Sequence, residues 1–181
     1  MKTFSNYLLL LLFLIGMGEI HSQRLIAEVN TDKLELPKFK RSSTLKMYHK
    51  EYFHKMKTSR IAQHILMMRK HVAMYNCKNS KQFTGQQTCF EVKFKSDYGY
   101  IFAHFNSGGE IIKTEEVFSD IRIPNQVIRS IFYIYPEWTL EKTKFYAMYE
   151  LNQPIDTYYE VEIKKGYQRK TLKVNNKGEF L

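Results

Sequence analysis

The sequence predicts an α+β fold made of two tandem units, each a helix followed by an antiparallel meander. Three observations carry this reading. Residues 90–112 (FEVKFKSDYGYIFAHFNSGGEII) and 159–181 (YEVEIKKGYQRKTLKVNNKGEFL) are two copies of one pattern, aligned without a gap at an offset of 69. Phe90, Val92, Phe94, Phe105, Asn106, Gly109 and Glu110 match Tyr159, Val161, Ile163, Val174, Asn175, Gly178 and Glu179. Apolar residues alternate with polar ones in both copies, the period of a strand with one covered face. Ahead of each copy lies a stretch whose apolar residues recur at helical spacing.

The elements follow in chain order. Lys2 gives a positive start, Tyr7 to Met17 is an apolar run of signal-peptide length, and Ser22 is a small residue at a suitable cleavage point. Residues 1–22 are therefore assigned as a signal peptide and 23–46 as a basic N-terminal segment. A membrane-spanning helix needs about 20 apolar residues; this run is shorter, and no second one follows. The expectation is an exported chain, periplasmic or extracellular, with no transmembrane segment after processing.

The first unit is assigned to residues 47–117. Helical signals dominate from Thr44 to about Asn76, where Ile61, Ile65, Met68, Val72 and Tyr75 recur at spacings of 4, 3, 4 and 3. Ser59 marks a break or a fresh start near Thr58, and Met47 to Met56 is a separate turn or an extension of the helix. Phe90 to Lys95 reads as a strand, Asp97-Tyr98-Gly99 as a turn, and Tyr100 to Phe105 as a second strand. Asn106-Ser107-Gly108-Gly109 tolerates tight-turn geometry, and Glu110 to Thr114 returns as a short third strand.

The second unit is assigned to residues 118–181. Pro124 suits a first helical turn, where its missing N–H costs no hydrogen bond. Val127, Ile131 and Ile134 form the apolar side of a helix that should stop before Pro136. Trp138 to Tyr149 is a long strand, broken by Asn152-Gln153-Pro154. Tyr158 to Ile163, Gln168 to Val174 and Glu179 to Leu181 then repeat the meander. Each sheet needs a helix over its apolar face, since neither element buries its own. Two half-domains and one continuous sheet both satisfy the pattern.

Several of these residues carry a family resemblance. Phe118, Ile123-Pro124, Val127, Ile131, Tyr135-Pro136-Glu137-Trp138, Tyr159-Glu160-Val161-Glu162-Ile163 and the closing Asn175-Asn176-Lys177-Gly178-Glu179-Phe180-Leu181 resemble the PepSY-like family, also described as beta-lactamase-inhibitor-protein-like. It is common in exported proteins of the Bacteroidetes. Residues 90–112 look like the matching part of an earlier copy. The resemblance implies a small exported α+β module suited to binding or inhibition, and it offers no catalytic residue to carry over. This chain departs from it in the cysteine just before the first repeated strand and in an unusually basic segment.

That segment is residues 33–81, with 13 Lys or Arg against Glu35 and Glu51 alone; residues 82–181 balance 13 bases with 13 acids. Such an asymmetric field attracts an acidic protein, a lipid headgroup or a polyanion. Nucleic acid is not the expected partner, because export and the lack of a recognised motif weigh against it. The candidate ligand-binding cations include Lys50, Lys57, Arg60 and Lys70, with Lys38, Lys40 and Arg41 nearby. Tyr98, Tyr100, Tyr158 and Tyr167, with Tyr146, Tyr149 and Tyr159, are the aromatic candidates, because tyrosine joins apolar area to a hydrogen-bonding end.

Cys77 and Cys89 are expected to pair in an oxidising compartment, for about 3 kcal/mol of chain-entropy stabilisation. Eleven residues separate them, so no redox CxxC is present, and no HExxH pair marks a metalloprotease. His49, His54, His64 and His71 crowd the basic segment, and His104 lies in a strand, without a ligand set that calls for a metal. Asp156, Ser107 and His104 supply triad residue types without a nucleophile elbow. Glu91, Glu160 and Glu162 read as a solvated strand face rather than glycosidase carboxylates. Neither a cofactor nor a catalytic residue is expected. The function expected is an exported noncatalytic binding or interaction module for an acidic protein, a peptide or an anionic envelope component. Peripheral membrane contact is compatible with it. The competing readings are an envelope-polymer hydrolase and a structural component of an envelope assembly.

Overall fold

The computed structural model describes residues 26–31, 46–57 and 61–181. The signal peptide, most of the basic N-terminal segment and Arg60 lie outside the described residues. The strands are β1 (Ile26–Asn30), β2 (Phe90–Ser96), β3 (Gly99–Phe105), β4 (Ile111–Ser119), β5 (Thr139–Glu150), β6 (Asp156–Lys165) and β7 (Gln168–Asn175). The helices among the described residues are α1 (Lys50–Met56), α2 (Gln63–Met74) and α3 (Asn125–Ile134), with a 3₁₀ turn at Cys77–Asn79.

These elements overturn the tandem α+β expectation. All seven strands form one sheet in the order β1 to β7, with β1 parallel to β2 and every later pair antiparallel. The fold is mostly β, and the two meanders are joined by β4 and β5, paired from Lys113↔Glu150 to Ser119↔Lys144. β4 continues through Ser119, beyond the short edge strand expected to end near Thr114. The physical reason is edge chemistry. Two separate meanders would leave four rows of unpaired backbone groups, and one sheet leaves two. β1 adds a strand within the segment read as a basic N-terminal region.

Within each copy the expected alternation is present. Phe90↔Phe105 in β2–β3 and Tyr159↔Val174 in β6–β7 are equivalent pairs at the offset of the repeat. The two turns are built alike: Glu110 N donates to Asn106 Oδ1 at 2.9 Å, and Glu179 N to Asn175 Oδ1 at 3.0 Å. Gly109 and Gly178 complete these turns with φ of 82° and 87°, in the left-handed region that favours glycine.

The described helices pack on one sheet face over two apolar clusters. The larger holds Tyr52, Ile65, Val72, Val92, Phe94, Ile101, Phe105 and Phe118 among others; the smaller is Ile123, Val127, Ile131, Val161, Ile163 and Val174. Each such side chain contributes about 1.5–3 kcal/mol relative to remaining exposed. Ile65, Met68, Val72 and Ala73 give α2 its buried face, together with Arg69. Of the alternatives the sequence leaves open near Ser59, two separate helices form, with Lys57 and Ala62 extended between them. Arg69 Nη2 lies 2.7 Å from Glu116 Oε2, and Tyr52 Oη donates to Glu116 Oε1 at 2.9 Å. This buried network ties α1 and α2 to β4. Burial raises the Tyr52 pKa well above the ordinary phenol range, reinforced by the Glu116 charge.

Candidate functional site

Side chains alternate across each strand, so the residues between the core positions lie on the face turned away from the helices. Register across six strands, β2 to β7, aligns Lys95, Tyr100, Val117, Tyr146, Tyr158 and Asn175 in one transverse row. Tyr146 and Tyr158 stack with centroids 4.6 Å apart and planes 8° from parallel. Lys93 Nζ lies 4.7 Å from the Tyr100 ring centroid, and Lys173 Nζ 5.6 Å from that of Tyr158. Both stacked phenols have raised pKa values, first through partial desolvation and then through neighbouring anions including Glu160. They are therefore neutral hydrogen-bonding groups near neutrality. Lys144 and Glu160 pair at 3.4 Å in the next row.

The structure brings together two of the four selected tyrosines, Tyr100 and Tyr158, and adds Tyr146 between them. Tyr98 stacks on His64 at 4.5 Å, beside the helical layer. Tyr167 is fully exposed at the β6–β7 turn, away from the row. Tyr149 is a core residue packed edge-on against Tyr52. Lys50 begins α1, Lys57 follows its end, and Lys70 is half-buried on α2. These cations belong to the helical layer and do not share the tyrosine row. Lys93 and Lys173 were not singled out from sequence. Their cross-strand proximity to the tyrosines depends on registers that composition does not encode.

A second feature lies on the helix side. A cleft of about 740 Å³ is lined by Lys55, Arg69, Arg122, Arg129, Phe145 and Tyr159, among others, with no Asp or Glu among its lining residues. Arg69 is committed to Glu116, which leaves Arg122, Arg129 and Lys55 as the outer cations; Lys55 also pairs with Glu51 at 2.9 Å. The sequence signal for this cleft was weak, since Arg122 and Arg129 sit in the charge-balanced half.

The cysteine pairing expected from sequence is corrected. No disulfide joins Cys77 and Cys89: Cys77 is buried with Sγ 3.7 Å from Gly109 O, whereas exposed Cys89 has Sγ 3.6 Å from His104 Nδ1. The two sulfurs engage different neighbours. The Asp156, Ser107 and His104 combination is likewise not assembled. Asp156 lies on β6 and His104 on β3, three strands and about 14 Å apart across the sheet. His64 stacks with Tyr98, and partial burial lowers its pKa. Desolvation also lowers that of His71, followed by the Lys70 charge.

No described helix is long and apolar enough to cross a membrane. No family model and no curated protein matches the chain. Among solved structures it is similar to a BLIP-like protein from Bacteroides fragilis NCTC 9343, with 17% identity, 53% of this chain and 67% of that chain covered, and a TM-score of 0.33.

Proposed function

We propose that this chain is an exported protein-binding module whose contact surface is the sheet face opposite the helices. The observation that carries this reading is the row of Tyr100, Tyr146 and Tyr158, held in register by β3 to β6 and flanked by Lys93 and Lys173. Such rings give large contact area at low entropic cost, and regular strands fix their spacing. The cations beside them suit a protein or peptide that presents carboxylates next to apolar side chains. Export is supported by residues 1–22, and the same reading places the partner in the periplasm or outside the cell.

The cleft favours a second reading, an anionic ligand held by Arg122 and Arg129. One comparison separates the two. The purified chain, a Tyr146→Ala/Tyr158→Ala variant and an Arg122→Gln/Arg129→Gln variant are used as bait for proteins cross-linked at the sheet face. The sheet reading predicts a specific partner whose recovery falls roughly tenfold or more with the tyrosine variant and is unchanged with the arginine variant. Equal recovery with both tyrosines removed would sink it. Matching circular dichroism and melting midpoints establish that each variant is folded.

A further inference from the structure

We propose that Cys89, Glu91 and His104 form a zinc site at the β2–β3 end of the sheet. Cys89 immediately precedes β2, and Glu91 stands two residues on, so strand alternation brings both toward one face. His104 is the cross-strand partner of Glu91. The three donor atoms lie within 4.8 Å of one another. His104 Nδ1 is their common centre, 3.6 Å from Cys89 Sγ and 3.5 Å from Glu91 Oε1.

Those separations match a coordination polyhedron. With Zn–S of about 2.3 Å and Zn–N and Zn–O of about 2.0–2.2 Å, a tetrahedral ion sets an S···N edge of about 3.6 Å and an N···O edge of about 3.4 Å. The donor set narrows the metal. Calcium and magnesium take oxygen ligands, whereas thiolate with imidazole and one carboxylate suits zinc. Charge agrees as well. The Glu91 side chain is 7% exposed and that of His104 14%, and a divalent cation offsets one carboxylate and one thiolate without residual charge.

The surroundings hold the ligands without competing for the ion. The Phe102 ring packs edge-on against His104 at 5.0 Å and restrains the imidazole plane. Lys113, the cross-strand partner of His104 on β4, is directed to Glu115 at 2.6 Å. Exposed Cys89 places the outer side of the site toward solvent, where water supplies a fourth ligand. On binding, the Cys89 thiol releases its proton to bulk water as the sulfur–metal bond forms. The inference is independent of the tyrosine-row reading, because it requires no partner.

The test uses the full chain, stripped with a chelator and titrated with Co²⁺ as the spectroscopic stand-in for Zn²⁺. One equivalent should produce tetrahedral visible absorption with a thiolate-to-cobalt charge-transfer band, and Zn²⁺ should displace both. Cys89→Ser should abolish the charge-transfer band, and Glu91→Gln or His104→Gln should weaken affinity roughly tenfold or more. Cys77→Ala should leave the spectrum intact. If Cys89→Ser does not fold, alkylation of Cys89 in the unmodified chain provides the readout, with Zn²⁺ slowing it roughly tenfold. No stoichiometric cobalt spectrum, an octahedral spectrum, a band that survives Cys89→Ser, absence of zinc protection, or no reactive thiol at Cys89 in the isolated chain would each overturn the site.

Discussion

The β2–β3 and β6–β7 hairpins share their strand alternation and pairing register, and each is followed by an Asn-x-x-Gly-Glu turn, yet they live in different surroundings. The first is flanked by β1 and β4 and covered by α1 and α2, with a charged Arg69–Glu116 bolt inside the packing. The second ends at β7, the last strand of the sheet, bridged at Val174↔Phe180 beyond its turn, and is covered by α3 over an entirely apolar cluster. The same hairpin code therefore serves two cores. What differs comes from the neighbours, and those neighbours carry the residues that individualise the protein.

The largest way to break this comparison is at the bolt. Glu116→Gln leaves Arg69 buried without its counter-charge and should cost about 3–5 kcal/mol, read as a lower urea midpoint. An apolar substitution in the second cluster has no equivalent charged penalty. A change near zero for Glu116→Gln would mean that Arg69 does not need its anion to stay buried.

A smaller effect tests whether the two turns are equivalent. Alanine at Gly109 or Gly178 must adopt positive φ, at a cost of about 1–3 kcal/mol each. Its Cβ would stand 2.3 Å from Ser130 Oγ and 3.3 Å from Gln126 O at position 178. At 109 the nearest atoms are Cys77 Sγ and Lys78 Cε, both at 3.0 Å. Gly178→Ala should be the more damaging, because it also pushes on the start of α3, which Gln126 Nε2 ties to Lys177 O at 2.7 Å. Thermal unfolding of the paired variants decides it; a larger loss at 109 would reverse the ranking.

The smallest effect is confined to acid. Arg169 Nε lies 2.7 Å from Glu141 Oε2, and its hydrogen bond is the main cause that holds the Glu141 pKa at about 2 rather than 4.5. A depressed carboxylate contributes stability above its unfolded value and loses it as pH falls through its folded value. That contribution is thus present above about 4.5 and fades toward 2. Arg169→Gln should flatten this part of the melting-temperature profile while leaving other carboxylate transitions. An unchanged acid slope would remove the pair from the account. Exposure and salt screening keep the effect small.

These contrasts also mark what the sequence made legible. Alternation from Phe90 to Phe94 and from Tyr159 to Ile163 identified the inner positions, and the Asn-x-x-Gly-Glu turns marked where the second strand of each copy ends. Pro124 and the Val127–Ile131 spacing located α3. The β4–β5 seam was not readable, because either separated or continuous sheets bury the same apolar residues. Ile26 to Asn30 is too short to outweigh the charged segment that follows it. Among the candidate site residues, strand alternation gave the faces but no register across the seam, so Tyr146 was not placed between Tyr100 and Tyr158. Cys89 lies beside His104 through the β2–β3 register, which its spacing from Cys77 does not reveal.

The parallel seating of β1 carries a consequence for the order of assembly. Thr31 bonds to Lys95 across a sequence separation of 64, and Ile26 to Asn30 pair with residues 91–95. During synthesis the first strand is present long before its mate emerges, while every later pair is antiparallel and closed by a shorter connection. Loop closure must precede the reward from this contact. Pairing of β1 with β2 therefore closes the longest loop between paired strands among the described residues.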